Sequence, residues 1–129
     1  MIERYPLLGL ERGMVLAIAR LHGKVVRDAI MIVDTGSSLT TITPQMAQLI
    51  GFDLESPLKE QVAHTWAGTI SSPVFVVPRV RVFGQEVHDL EVACGELPPK
   101  LGLDGVLGLN FLRHFDLRIN FREEYLVLR

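Results

Sequence analysis

The sequence has 129 residues, 48% hydrophobic and 22% charged, which supplies apolar material for a packed core and too little charge for a disordered chain. With 13 basic and 15 acidic residues the formal net charge is -2, and no basic stripe invites nucleic acid. The single cysteine, Cys94, excludes an intrachain disulfide, and no apolar run approaches the roughly 20 residues that span a bilayer. The opening Met1-Ile2-Glu3-Arg4-Tyr5-Pro6 lacks the basic and apolar regions of a signal peptide. The expectation is a cytoplasmic, membrane-free protein with one domain over residues 1–129.

Short strands dominate the chain. Met14 to Arg20 is apolar, His22-Gly23-Lys24 turns, and Val25 to Val33 forms the return strand of a hairpin. That strand ends on Ile30-Met31-Ile32-Val33, a run that predicts burial on both faces. Thr43 is a good N-cap, Pro44 suits a first helical position and Gly51 an exit, so a short helix is predicted between them. Val62 to Gly68 and Thr69 to Val77 form a second hairpin with its tip at His64-Thr65-Trp66-Ala67-Gly68. Pro73 and Pro78 predict edge strands or strand ends there. Arg79 to Val82 and Val87 to Ala93 alternate around Phe83-Gly84-Gln85-Glu86 as a third hairpin. Gly95 to Asp104 is a loop containing Pro98-Pro99, and Val106-Leu107-Gly108 is a short apolar element. Asn110 to Phe115 reads as a helix, and Leu117 to Phe121 and Tyr125 to Leu128 as two closing strands. The fold class is all-β with one or two short helices, a small closed barrel or folded sheet.

Chemistry concentrates in Ile32-Val33-Asp34-Thr35-Gly36-Ser37-Ser38. A carboxylate that follows a buried strand needs hydrogen bonds to remain ionised. Thr35 and Ser37 carry hydroxyls beside it, and Gly36 permits a tight turn. Taken alone, Asp34-Thr35-Gly36 is equally an ordinary turn sequence. The apolar strand before it, the hairpin after it and Val106-Leu107-Gly108 about 70 residues on give it a context.

Together these features resemble the retropepsin-like aspartic peptidases over residues 14 to 128. Asp104-Gly105-Val106-Leu107-Gly108-Leu109-Asn110-Phe111-Leu112-Arg113-His114 is similar to the protease-like domain of DNA-damage-inducible shuttle proteins and to small bacterial retropepsin-like proteins. The resemblance implies a closed barrel in which a flap hairpin covers Asp34 and Val106-Leu107-Gly108 threads beneath the Asp34 loop as its support. It implies Asp34 as the catalytic carboxylate and Thr35, Gly36 and Ser37 as supports of the dyad. Thr35 would brace two subunits across their axis. Thr65, Trp66, Ala67 and Gly68 would form the flap over substrate, and Thr40 and Asn110 occupy positions that hydrogen-bond in retroviral relatives.

There are departures. Ser37 stands where retroviral enzymes have Ala, and Ser38 and Leu109 stand where they carry an acid and an arginine. Losing both charges together strands neither, but it removes that style of interface ion pair.

Peptide hydrolysis of this type needs two carboxylates sharing one proton. The sequence holds one Asp-Thr-Gly, since Asp28, Asp53, Asp89, Asp104 and Asp116 lack the motif. A two-fold homodimer is the simplest way to bring two copies together. The expected function is aspartic endopeptidase action on extended peptides, with no cofactor. The competing function is a dimerisation or peptide-binding module of the same fold with weak or lost catalysis. His22, His64, His88 and His114 lack zinc-site spacing, so no metal is expected. Cys94 reads as a buried, inert thiol, and Met31 and Met46 as core.

Overall fold

The computed structural model describes residues 2–65 and 67–129, with the backbone but not the side chain of Thr65. Among the described residues, ten strands and two short helices follow in order: β1 (Tyr5–Pro6), β2 (Leu16–His22), β3 (Val26–Val33), β4 (Thr40–Ile42), α1 (Pro44–Leu49), β5 (Lys59–Thr65), β6 (Gly68–Val82), β7 (Gln85–Cys94), β8 (Gly105–Leu107), α2 (Leu109–Leu112), β9 (Leu117–Asn120) and β10 (Tyr125–Leu128). Single 3-10 turns occupy Leu10–Arg12 and Pro99–Leu101. Among the described residues, no helix is long and apolar enough to cross a membrane.

The main sheet runs β2-β3-β8-β4-β7-β6, and β6 pairs back onto β2, closing six strands into a barrel. Closure removes the free edges. β5 lies outside the ring, paired only with β6, as one arm of a projecting hairpin. A smaller sheet, β1-β10-β9, covers one end.

Alternation sorts each strand between core and outside. In β2, Ala17, Ala19 and Leu21 are fully buried while Ile18 and Arg20 face out. Met31, Ile42, Val92, Leu107 and Phe111 meet them in one cluster that also takes in Leu126 and Leu128. Phe111 is fully buried, and truncating such a side chain costs about 3–5 kcal/mol.

The β6–β7 hairpin turns on Phe83 and Gly84, both at positive φ (49° and 78°), the pattern of a tight type I′ turn. At α1, the Thr43 hydroxyl accepts from the Met46 amide at 3.2 Å, and Pro44 opens the helix.

Residues 30–33, expected to be buried on both faces, are not buried throughout: alternation buries Met31 completely and leaves Ile30 44% exposed on the outside of the barrel. Two further expectations are corrected. Pro73 and Pro78 do not end strands, because β6 runs unbroken for 15 residues through both. The Val74 carbonyl accepts from Leu58, so Val74 turns its polar groups towards the β5 side and, by alternation, Pro73 turns its own the other way. Pairing with β7 begins only at Val74, so the missing Pro73 donor leaves no bond unmade. Pro78 faces the gap where β6 passes from β5, last paired at Val74, to β2, first paired at Arg79. The second correction concerns the helix near residue 110. It starts at Leu109 and holds four residues, and the chain to Phe115 continues as turns.

Candidate active site

Asp34 sits where β3 leaves the barrel, half-buried. Its amide donates to the Leu107 carbonyl at 3.0 Å, so the loop is sewn to the end of β8. The Gly36 amide donates to Asp34 Oδ1 at 2.8 Å, fixing the carboxylate from its own turn. The Ser37 amide donates to the Asp34 carbonyl at 3.3 Å, and the Ser37 hydroxyl donates to the Leu39 carbonyl at 2.8 Å. One backbone amide thus holds the carboxylate itself, and the other bonds hold the loop that carries it. Thr35 is exposed, and its side chain has no hydrogen-bond partner among the described residues.

The second element threads against this loop. β8 pairs in parallel with β3, placing Ile32 beside Val106 and Val33 beside Leu107. Beyond it, the Leu109 amide donates to the Ser37 carbonyl at 2.8 Å and the Asn110 amide to the Ser38 carbonyl at 3.2 Å. Gly108 lies so close that an added Cβ would stand 2.5 Å from the Leu39 oxygen and 2.8 Å from the Ser37 oxygen. No side chain fits there.

Thr40 ties the two halves together and is completely buried. Its hydroxyl donates to Asn110 Oδ1 at 2.8 Å and accepts from the Gly108 amide at 3.1 Å. Asn110 spends its own amide hydrogens on the Glu91 carbonyl at 2.7 Å, reaching across to β7. Asp34, Thr35, Gly36 and Ser37 are therefore brought together with Val106, Leu107 and Gly108 by one connected network.

The β5–β6 hairpin projects over a cleft of about 390 Å³ beside the Asp34 loop. Ser37, Ser38, Leu39, Thr41 and Ala93 line its floor. Gln61, Ala63 and Ser72, with Val62 and His64, line its roof. The hairpin tip pairs Thr65 with Gly68, and Ala67 and Gly68 are exposed there. Trp66 and the Thr65 side chain, both assigned to the flap from sequence, lie outside the described residues. Thr41, Gln61 and Ser72 were not singled out from sequence, and only their alternation within strands could have pointed to them.

Among the described residues no group of three or more His, Cys, Asp and Glu could hold a metal. His22 stands beside the Arg79 guanidinium at 3.3 Å, and burial, then that positive charge, holds its pKa below the usual histidine range. The Cys94 thiol is buried, and burial followed by the charge of Glu96 pushes its pKa up. A raised pKa means little thiolate and little nucleophilicity.

A strand delivering Asp-Thr-Gly onto a β8 support, inside a closed barrel with a projecting hairpin, is the retropepsin-like architecture. The chain belongs to the aspartyl protease family, whose model matches residues 17–111, well over half of its length. Among solved structures, a crystal structure of a retropepsin-like aspartic protease from Rickettsia conorii matches with a TM-score of 0.70. The match covers 99% of this chain and 91% of that one at 23% identity, a likeness of fold. Comparison with curated proteins gives no match.

Proposed function

We propose that this chain is one subunit of a homodimeric aspartic endopeptidase in which two copies of Asp34 form the catalytic dyad. The observation that carries the reading is the Asp34 loop itself: a single Asp-Thr-Gly whose carboxylate is held by the Gly36 amide and whose backbone is fixed to β8. One copy is half of the chemistry, so a second must come from a second chain.

In the dyad, two carboxylates about 3 Å apart share one proton because both cannot ionise easily. The ionised Asp34 takes a proton from water as its oxygen attacks the scissile carbonyl carbon. The protonated Asp34 gives its proton to the carbonyl oxygen. The carboxyl that took the water proton then delivers it to the peptide nitrogen while the other carboxylate takes the proton of a hydroxyl on the tetrahedral carbon, so the C–N bond breaks and the dyad again holds one proton. Thr35, exposed and without a side-chain partner among the described residues, is available to bond across the axis. An extended peptide would lie between the β5–β6 hairpin and the floor, held by backbone hydrogen bonds. The one hydrophobic cluster that draws on β2, β3, β4, β6, β7, β8 and β10, with β9 packed against it, supports reading residues 1–129 as one domain.

The test is turnover of a mixed peptide library by the wild-type protein and by Asp34→Asn. Cleavage by the first and none by the second supports the reading. Equal cleavage by both, or cleavage blocked only by thiol reagents or chelators, contradicts it.

A further inference from the structure

Four polar side chains with spare hydrogen-bonding capacity converge on the cleft beside the Asp34 loop. In the hairpin, Gln61 stands directly opposite Ser72 in the strand register, and both line the roof. The Gln61 amide makes one long bond, a 3.4 Å donation to the Val62 carbonyl, which leaves its oxygen uncommitted. Thr41 and Ser38 line the floor. Thr40 and Ile42 are fully buried on either side of Thr41, so alternation turns Thr41 away from the core and towards the cleft. None of the three hydroxyls, on Ser38, Thr41 and Ser72, has a partner among the described residues.

Among the described residues that line the cleft there is no Asp, Glu, Lys or Arg. Lys59 and Glu91, each two residues along its strand from a cleft residue, hold one another at 2.6 Å. His64 borders the roof, but it is three residues from Gln61 in the same strand, so alternation turns its ring to the other face of the hairpin, where it meets the Thr69 hydroxyl at 3.4 Å. A charged substrate side chain entering here would lose its water and find no opposite charge. A purely apolar one would bury hydroxyl and amide groups unpaired. A carboxamide both donates and accepts, as do the groups that await it. The methyl and methylene surface of Leu39, Ala63 and Ala93 suits its stem.

We propose that this cleft takes an uncharged, hydrogen-bonding substrate side chain, glutamine or asparagine above all, and that Gln61 is the residue that reads it. The proposal rests on the peptidase reading of Asp34, but every group it uses comes from one chain.

The experiment measures binding and cleavage separately. Peptides carrying a reduced, uncleavable bond are scanned position by position with Gln, Asn, Glu, Lys and Leu, and their affinity for wild type and Asp34→Asn is measured. The same sequences with a normal peptide bond are offered to wild type for cleavage. At one position Gln or Asn should exceed Glu and Lys by about tenfold or more. Gln61→Leu should erase that preference in favour of Leu, acting on KM more than on kcat, and Ser72→Ala should weaken it in the same direction. Equal acceptance of charged residues at every position, an unchanged ranking in Gln61→Leu, or no binding at all would overturn the proposal. Ranked binding without turnover would overturn the peptidase reading and leave the specificity standing. Turnover without ranking would do the reverse.

Discussion

The Asn110 side-chain oxygen accepts from both the backbone amide and the hydroxyl of Thr40, each at 2.8 Å, although 70 residues separate the two. The Thr40 hydroxyl in turn accepts from Gly108, whose neighbours Leu107 and Leu109 bond directly to the Asp34 loop. The position of Asp34 is therefore set by a buried polar chain as well as by apolar packing. Each link stands where an unpaired group would be costly.

Thr40→Val removes the hydroxyl while keeping the shape. It leaves the Gly108 amide without its acceptor in a buried place. A loss of about 1–3 kcal/mol is expected, read as a lower urea midpoint with an unchanged slope. Asn110→Ala should cost at least as much, because it also frees the Glu91 carbonyl. Stability unchanged in both variants would show that the network is idle.

Gly108→Ala tests the close approach of the two loops. The new methyl would meet backbone oxygens of Leu39 and Ser37, which cannot rotate aside. Relief requires the segment after Asp34 to move, at about 1–3 kcal/mol. Any peptidase activity should fall further than the stability does, because the displaced segment adjoins the turn whose Gly36 amide holds the Asp34 carboxylate. Thermal melts and rate measurements on the same preparation check both.

Much of this arrangement was legible in the sequence, for local reasons. Asp34-Thr35-Gly36 and Val106-Leu107-Gly108 are compact motifs that stand out within a few positions, although the contact that bars a side chain at Gly108 comes from Ser37 and Leu39 on the distant Asp34 loop. The Phe83-Gly84 turn and the Thr43-Pro44 helix start are equally local. β4 was not legible, since Thr40–Ile42 is too short to show a period of two. Barrel closure was expected from the resemblance, but the pairing that makes it was not, because the β2–β6 pairing joins Ala19 to Val82 and leaves no mark on either segment alone. Pro73 and Pro78 misled because a missing donor shows in sequence but the gap that tolerates it shows only in the assembled sheet. Leu109 opens α2 where the sequence pattern places the start at Asn110, because the Gly108 carbonyl already accepts from Phe111 and Leu112.

Cys94 offers a pH-dependent check. Burial raises its pKa above the ordinary 9.0, so the folded protein resists forming the thiolate. The stability tied to the neutral thiol is fully present below the unfolded value and is lost as pH rises through the folded one. Alkylation of the native protein by iodoacetamide should be far slower than in urea, with its rise displaced to higher pH. Cys94→Ser should leave any peptidase activity intact. Fast native labelling would contradict the buried, protonated thiol.

Peptidase activity, if the dyad forms, follows a bell-shaped pH profile. The acidic limb reports protonation of the singly charged pair, and the alkaline limb reports loss of the shared proton. An acidic to near-neutral optimum is expected, since the first proton leaves easily and repulsion retains the second. A statine peptide, whose hydroxyl takes the place of the attacking water, should bind the wild type and bind Asp34→Asn more weakly. A profile with a single alkaline rise would point to other chemistry.

Thr35→Ala should weaken dimer and activity together. Light scattering over a dilution series gives the dissociation constant, and activity per chain should fall at the same concentration at which the dimer does. An active protein that remains monomeric throughout would remove the reason for a shared dyad.

The most direct test is the distance between the two Asp34 carboxylates in a crystal structure of the assembled protein. A two-fold dimer with facing oxygens about 3 Å apart, within hydrogen-bonding range, is the expected result. A dimer that keeps the two Asp34 side chains well apart, or a monomer that cleaves peptides, would contradict it.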